Sequence, residues 1–126
     1  MIFFNLMSTQ TNSNDIIATI EQQYPQTCAE FKRIQAEHYA TFCKKQFDYG
    51  PGNISLGSAL TTTEEKKASI SAIVVRLNDK MQRLINLVLK KNTLEGSANE
   101  PVFDAFLDIS VYGIIAEIVK RGMWAK

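Results

Sequence analysis

The sequence predicts an all-α fold, an antiparallel helical bundle of about four helices with one long central helix. Three observations support this. Apolar residues recur at spacings of three and four along most of the chain. No segment shows the alternation of apolar and polar residues that is typical of a strand. Segments rich in glycine and proline separate the periodic stretches. At 126 residues, of which 45% are hydrophobic, the chain can bury a sizeable core.

The first helix is expected at about residues 14–23, after the helix-capping residues Ser13 and Asn14. Its apolar residues are Ile16, Ile17 and Ile20. The preceding residues are polar and carry no periodic apolar pattern beyond a short run at the start. We therefore expect a loose tail over residues 1–13 and a single domain over residues 14–126.

A second helix is predicted to begin at Pro25, because proline suits the first turn of a helix, and to end near Phe47. It carries an apolar stripe that the sequence predicts to face the core. The stripe consists of Phe31, Ile34, His38 and Phe42. Three glycines and a proline in "DYGPGNISLGSAL" then indicate a loop.

The third helix is predicted over residues 63–91 and would be about 40 Å long. "TTTEEKK" supplies a capping-box pattern at its start, with Thr61 or Thr62 followed three residues later by Glu64 or Glu65. "NTLEGSANEP" ends it, and a fourth helix is predicted over residues 101–121. We expect the last three helices to pack on one apolar core.

Charge and composition exclude several classes of function. Fourteen basic and thirteen acidic residues give a net charge of +1, so no charge excess draws the chain to sequence-specific nucleic acid binding or to a membrane surface. No apolar run approaches the roughly 20 residues of a membrane span. Cys28 and Cys43 lack metal-ligand spacing and are expected to be reduced thiols. We expect a cytoplasmic protein.

The fourth helix contains an acidic column, Glu100, Asp104 and Asp108, spaced four residues apart. Two of these acids, Asp104 and Asp108, fall on the same side as the apolar stripe, where burial penalises a charge. The column either lies at the edge of the core and reaches water, or it lines a polar pocket in which cations or a metal neutralise it.

The third helix carries a polar face opposite its apolar stripe. That face consists of Arg76, Asp79, Lys80, Arg83 and Asn86. A solvated charged face is the common interpretation of such a pattern. If the face instead borders a cleft against the fourth helix, its bases suit phosphates while nearby carboxylates suit Mg²⁺.

The segment "KKQFDYGPGNI" is the third candidate. It contributes Lys45, Asp48, Tyr49 and Asn53 beside two glycines. Lysines at a helix end often only complement the helix dipole. An aromatic ring, a carboxylate and glycines at the mouth of a bundle also suit a loop that binds a base. No catalytic triad, P-loop or dinucleotide fingerprint is present in the sequence.

Three blocks in this order resemble the nucleotide modification associated domain 1 family, small proteins of phages and bacteria found with nucleotide-modification genes. The blocks are "KKQFDYGPGNI", "RLNDKMQRLINL" and "NEPVFDAFLDISVYGIIAEIVKRG", and the resemblance covers about residues 38–122. The family pattern falls on Lys45, Asp48, Tyr49, Gly50, Asn53, Arg76, Asp79, Lys80, Arg83, Asn86, Glu100, Asp104, Asp108 and Tyr112. Pro101 and Ala105 replace the small hydroxylated residues of the pattern. The resemblance implies a nucleotide ligand without fixing a reaction.

A more distant likeness, to the MazG-like all-α nucleoside triphosphate pyrophosphohydrolases, implies Mg²⁺-dependent hydrolysis. Asp79, Asp104 and Asp108 would then be catalytic and would bind the metal together with Glu100. The ligand-binding residues would be Lys45, Asp48, Tyr49, Asn53, Arg76, Lys80, Arg83, Asn86 and Tyr112. The third helix departs from that family, because Asp79 stands between basic residues where the family has a cluster of glutamates.

Two alternatives belong to other classes. One is a non-catalytic binder that sequesters a nucleotide, for instance a defence signal in the cytosol of a phage-infected bacterium. The other is an interaction module without nucleotide affinity. In each case we expect a homo-oligomer, a dimer or a tetramer, because apolar residues fall outside the main stripes of the long helices. These are Val75, Leu89, Phe106 and Ile109.

Overall fold

The computed structural model describes residues 2–95 and 100–126 and confirms the all-α prediction, with no strand among these residues. Five α-helices occur, four of them long. They are α1 (Ile2–Gln23), α2 (Pro25–Tyr49), α3 (Gly52–Ser55), α4 (Thr63–Leu84) and α5 (Val102–Lys120). A π-helical segment, Ile85–Lys90, continues α4. Part of the predicted break between the third and fourth helices, residues 96–99, lies outside the described residues.

The chain divides into two compact units, an N-terminal unit (Met1–Glu37) and a C-terminal unit (His38–Lys126). The boundary falls inside α2, so each unit includes part of that helix.

In the N-terminal unit, α1 begins at Ile2 instead of near Asn14, so a helix stands where the sequence predicts a loose tail. Serine, threonine and asparagine lower helix stability by only about 0.5 kcal/mol each relative to alanine, so a run of them does not by itself stop a helix. Proline does stop a preceding helix, and α2 begins at Pro25 as predicted. An ion pair between Lys32 and Glu21, at 2.8 Å, bridges the interruption.

The N-terminal unit has no buried side chain among residues 12–37. The large apolar side chains of these residues are between 42% and 66% exposed, and they are Ile16, Ile17, Ile20, Tyr24, Phe31 and Ile34. The prediction that the α2 stripe packs on the common core is therefore wrong for Phe31 and Ile34. Helical periodicity identifies an amphipathic face but does not identify what covers it. Farther along α2, Phe42 is half-buried against the core.

The core of the C-terminal unit lies between α4 and α5, which run antiparallel. At the middle of α4, Ile73 packs with Ile115 and Val119 from the second half of α5. Near its end, Leu84 packs in a second cluster with Val102 from the start of α5. Three further residues complete the first cluster: Ile54, Leu60 and Trp124. The antiparallel arrangement of these two helices is the predicted one.

The predicted capping box begins α4, and a wider helical turn follows its end. The capping box forms between Thr62 and Glu65, since the Glu65 N–H donates to the Thr62 hydroxyl at 3.1 Å and the Thr62 N–H donates to the Glu65 carboxylate at 3.1 Å. The backbone N–H groups of Thr62 and Thr61 both donate to the Glu65 carboxylate and lower its pKa. At the other end, the Lys91 N–H donates to the Asn86 carbonyl, five residues back, which widens the last turn of the predicted helix.

The predicted loop after α2 contains the short helix α3, and two side-chain hydrogen bonds fix it to the core. The buried Ser69 hydroxyl donates to the Ile54 carbonyl at 2.6 Å. The Trp124 indole N–H donates to the Pro51 carbonyl at 3.1 Å. The loop therefore has a defined position beside α4. This position matters because the loop forms one wall of the cleft described below.

Replacing Ser69 by alanine tests this attachment. The substitution removes the donor from the buried Ile54 carbonyl, and an unsatisfied buried acceptor costs about 1–3 kcal/mol of unfolding free energy. Urea denaturation of Ser69→Ala should show that loss. The matched control is Ser71→Ala, which removes an exposed hydroxyl from the same helix and should leave the free energy within about 0.5 kcal/mol. Equal effects of the two substitutions would contradict the role given to Ser69.

Candidate functional site

A cleft of about 430 Å³ opens in the C-terminal unit where the end of α2, the α3 loop, α4 and α5 meet. Apolar side chains form part of its wall, and these are Phe42, Ile54, Val111 and Ile115. Eight of the residues predicted from sequence also line it, namely Lys45, Tyr49, Asn53, Arg76, Lys80, Glu100, Asp108 and Tyr112. They come from three separate blocks of the chain, which the fold brings to one place.

Asp108 binds two lysines from two other helices. Lys45 of α2 donates to Asp108 Oδ1 at 3.0 Å, and Lys80 of α4 donates to Oδ2 at 2.9 Å. The Asp108 side chain is 13% exposed, against 28% for Lys80 and 50% for Lys45. A carboxylate on the apolar side of α5 is tolerated here because each of its oxygens accepts a hydrogen bond from a cation.

The same ion pairs set the protonation of these groups. Partial burial of Asp108 acts to raise its pKa, but the hydrogen bonds from Lys80 and Lys45 and the charges of both lysines hold that pKa below its usual value. For Lys80, the hydrogen bond to Asp108 raises the pKa, against a smaller opposing effect of burial. Both groups are therefore charged at neutral pH.

Arg76 lines the cleft one turn before Lys80 on α4. Its Nη2 donates to the Asn53 carbonyl at 3.1 Å, and its guanidinium carbon lies 5.8 Å from the centre of the Tyr112 ring. A cation over an aromatic ring at this distance is an attractive arrangement. The loop and α5 thus hold a third cationic side chain at the cleft.

Tyr49, the last residue of α2, lines the cleft and is 73% exposed. Its ring therefore presents area that a planar ligand group can cover. Gln46, one turn earlier on α2, also lines the cleft. Gln46 is not among the site residues predicted from the sequence, although it lies three residues before Tyr49 and therefore on the same helix face.

Arg83 donates to two backbone carbonyls at the start of α5. Its Nη1 donates to the Pro101 carbonyl at 3.2 Å, and its Nη2 donates to the Glu100 carbonyl. These hydrogen bonds hold the start of α5 against α4. Arg83 does not itself line the cleft, whereas Glu100 does and contributes to the raised pKa of Lys80.

The remaining predicted residues also lie outside the cleft lining. Asp48, Asp79, Asn86 and Asp104 are exposed. Among residues 2–95 and 100–126, no group of three or more acidic, histidine or cysteine side chains lies close enough to hold a metal ion. The four acids predicted for Mg²⁺ are thus not brought together, and both oxygens of Asp108 already accept from lysines. This donor set does not fit a protein-bound Mg²⁺ site.

His38 and the two cysteines stand apart from the cleft. His38 is half-buried, and its Nδ1 forms a hydrogen bond with the Ser110 hydroxyl at 3.2 Å. Neither cysteine forms a disulfide. These residues take part in local structure and do not extend the site.

Comparison of the chain with protein-family models, with curated proteins and with solved structures finds no match. The resemblance drawn from the three sequence blocks therefore stays a prediction. None of the helices in the described parts of the chain has the length and apolar character needed to cross a bilayer.

The ion pairs of Asp108 predict a pH-dependent contribution to stability. Because the pKa of Asp108 is lowered in the folded state, its contribution should be present above the pKa of the unfolded chain, about 4, and should be lost as pH falls below it. Asp108→Asn should cost about 1–3 kcal/mol of unfolding free energy at pH 7. Its deficit should shrink between about pH 4 and pH 2, measured by urea denaturation. A deficit that is constant over that range would contradict the ion-pair account.

Proposed function

We propose that the C-terminal unit is a nucleotide-binding module and that the cleft at Asp108 holds the nucleotide. The observation that supports this most is the presence in one cleft of two lysines, an arginine, an exposed tyrosine ring and apolar side chains. The lysines and the arginine suit the phosphates of a nucleotide. The tyrosine ring and the apolar side chains suit its base.

The charges of the cleft favour an anionic ligand. Lys45, Arg76 and Lys80 give three positive charges, while Glu100 and Asp108 give two negative charges, so the lining carries a net charge of +1. A cleft whose lining carries an excess of positive charge attracts ligands of negative charge. Arginine and lysine bind phosphate differently. The planar guanidinium of arginine can donate two parallel hydrogen bonds, whereas the lysine ammonium is a compact charge on a flexible side chain.

The size and surface of the cleft suit the rest of a nucleotide. Its volume of about 430 Å³ falls within the range of roughly 300–1,000 Å³ that is typical of small-molecule sites. The exposed Tyr49 ring can stack on a base, and Phe42 and Ile54 offer apolar contact. The family resemblance of the sequence blocks points to the same class of ligand.

The geometry favours binding over hydrolysis. Metal-dependent hydrolysis of a triphosphate needs several carboxylates around a cation, and two of the predicted acids, Asp79 and Asp104, lie outside the cleft lining. The lysines and the arginine, by contrast, are placed to bind phosphate without a metal. The proposed role is thus to hold an intact nucleotide, and sequestration of a nucleotide signal during phage infection is one role of this kind.

We also propose that the chain associates with further copies of itself as a dimer or tetramer. Val75, Leu89 and Phe106 are exposed, as expected of residues outside the main stripes, whereas Ile109 packs against the second core cluster. In the N-terminal unit, apolar residues of α1 and of the first half of α2 are exposed as well. Soluble proteins usually cover such patches, and a symmetric contact would do so with the same residues from each copy.

Light scattering at micromolar concentration tests self-association. The expected mass is at least twice the 14.2 kDa of one chain. Phe31→Glu together with Ile34→Glu places charges on an exposed helix face and should reduce the mass without lowering the melting temperature. A mass of one chain for the unsubstituted protein would contradict the proposal.

Replacing Lys45 by methionine tests the cleft as the nucleotide site. Titration calorimetry with a panel of nucleoside mono-, di- and triphosphates in EDTA should show binding by the unsubstituted protein. Lys45→Met should weaken that binding about tenfold or more, since a charged hydrogen-bond donor contributes about 1.5–3 kcal/mol. The control is Lys44→Met, the neighbouring residue on α2, which does not line the cleft and should bind normally. Equal losses in both variants would place the site elsewhere.

Incubation of the same panel with Mg²⁺ or Mn²⁺ separates binding from hydrolysis. The proposed role predicts that each nucleotide is recovered unchanged after denaturation of the protein, as read by product chromatography. Release of monophosphate, pyrophosphate or phosphate, abolished by Asp108→Asn, would instead establish the hydrolytic function implied by the distant likeness.

A further inference from the structure

We propose that Asp108 acts as an internal competitor of the phosphate, which a nucleotide must displace from Lys45 in order to bind. This inference rests on the proposed function and assigns Asp108 the role of a specificity-determining residue. The cleft then selects ligands by their negative charge, which rises with the number of phosphates.

The contacts of Asp108 resemble those expected of a bound phosphate. Each carboxylate oxygen accepts from a different lysine, at 3.0 Å from Lys45 and 2.9 Å from Lys80. Two oxygens of one phosphate can accept from two such donors in the same way. The carboxylate thus pairs with the same cations that a phosphate would use.

The two lysines differ in how readily they can exchange partners. The Lys45 side chain is 50% exposed, whereas the Lys80 side chain is 28% exposed. Ion pairs of exposed groups are weak because water screens them. Lys45 therefore turns to the incoming phosphate, while Lys80 stays with Asp108 and keeps that carboxylate neutralised.

This exchange sets a threshold for the ligand. A nucleoside monophosphate, which carries a charge of about −1.5 to −2 at pH 7, replaces one carboxylate–lysine pair by one phosphate–lysine pair, so little is gained. A polyphosphate brings further charges, which interact with Arg76, one turn before Lys80 on α4, as well as with Lys45. The ligand class that fits is a nucleotide with two or more phosphates, in preference to a nucleoside or a monophosphate.

Asp108→Asn removes the competing charge and provides the test. Titration calorimetry of AMP, ADP and ATP in EDTA at low salt should show a preference of the unsubstituted protein for ADP and ATP. Asp108→Asn should bind all three about tenfold more tightly, and its preference for ADP over AMP should narrow. The control is Asp104→Asn, the same change one turn earlier on α5 at an exposed position outside the cleft lining, which should leave all three affinities unchanged.

The outcomes separate this inference from the proposed function. If the unsubstituted protein binds these nucleotides but Asp108→Asn binds them equally or more weakly, the competitor role is wrong and nucleotide binding stands. If neither protein binds any of them, both proposals are wrong.

A measurement on the unsubstituted chain covers the case in which Asp108→Asn does not fold. With ¹³C-labelled aspartate carboxyl groups, addition of ATP should shift the Asp108 resonance as Lys45 leaves it, and the Asp104 resonance should stay in place. An Asp108 resonance that does not move at a saturating ATP concentration would overturn the inference.

Discussion

The antiparallel packing of α4 against α5 determines where every other part of the C-terminal unit lies. Ile73, Ile115 and Val119 are nearly inaccessible to water, and the α3 loop and the Trp124 ring pack against the same cluster. Burial of such side chains contributes about 1.5–3 kcal/mol each, so this seam outweighs any single polar contact in the unit. The cleft exists because the seam leaves polar residues of both helices facing the end of α2.

The cleft shows how a charged group can stand next to an apolar core. Asp108 would be costly there on its own, and two lysines from other helices make its charge tolerable. The two ion pairs that offset this cost also connect α2, α4 and α5. Arg76 makes a comparable link between the loop and α5, through the Asn53 carbonyl and the Tyr112 ring. The residues that join the elements are therefore also the residues that face the cavity.

Sequence periodicity predicted α4 and α5 well, because their apolar faces are covered by each other. It could not predict the fate of the α2 stripe, since Phe31 and Ile34 repeat at the same spacing as buried residues and yet remain exposed. In the acidic column, spacing placed three carboxylates in one row, but only tertiary contacts distinguish Asp108, held by lysines, from the exposed Asp104. The start of α1 was mistaken because polar residues weaken a helix without ending it.

The π-helical segment at Ile85–Lys90 bears on how this chain tolerates changes of length. A π turn holds one residue more than an α turn, so it is a place where a helix can gain or lose a residue by changing its winding. Because the segment lies after Arg76 and Lys80, such a change alters the connection to α5 without rotating those side chains away from the cleft. The orientation of Arg76 and Lys80 therefore does not depend on the winding of this segment, whereas Leu87 within it is buried in the second core cluster.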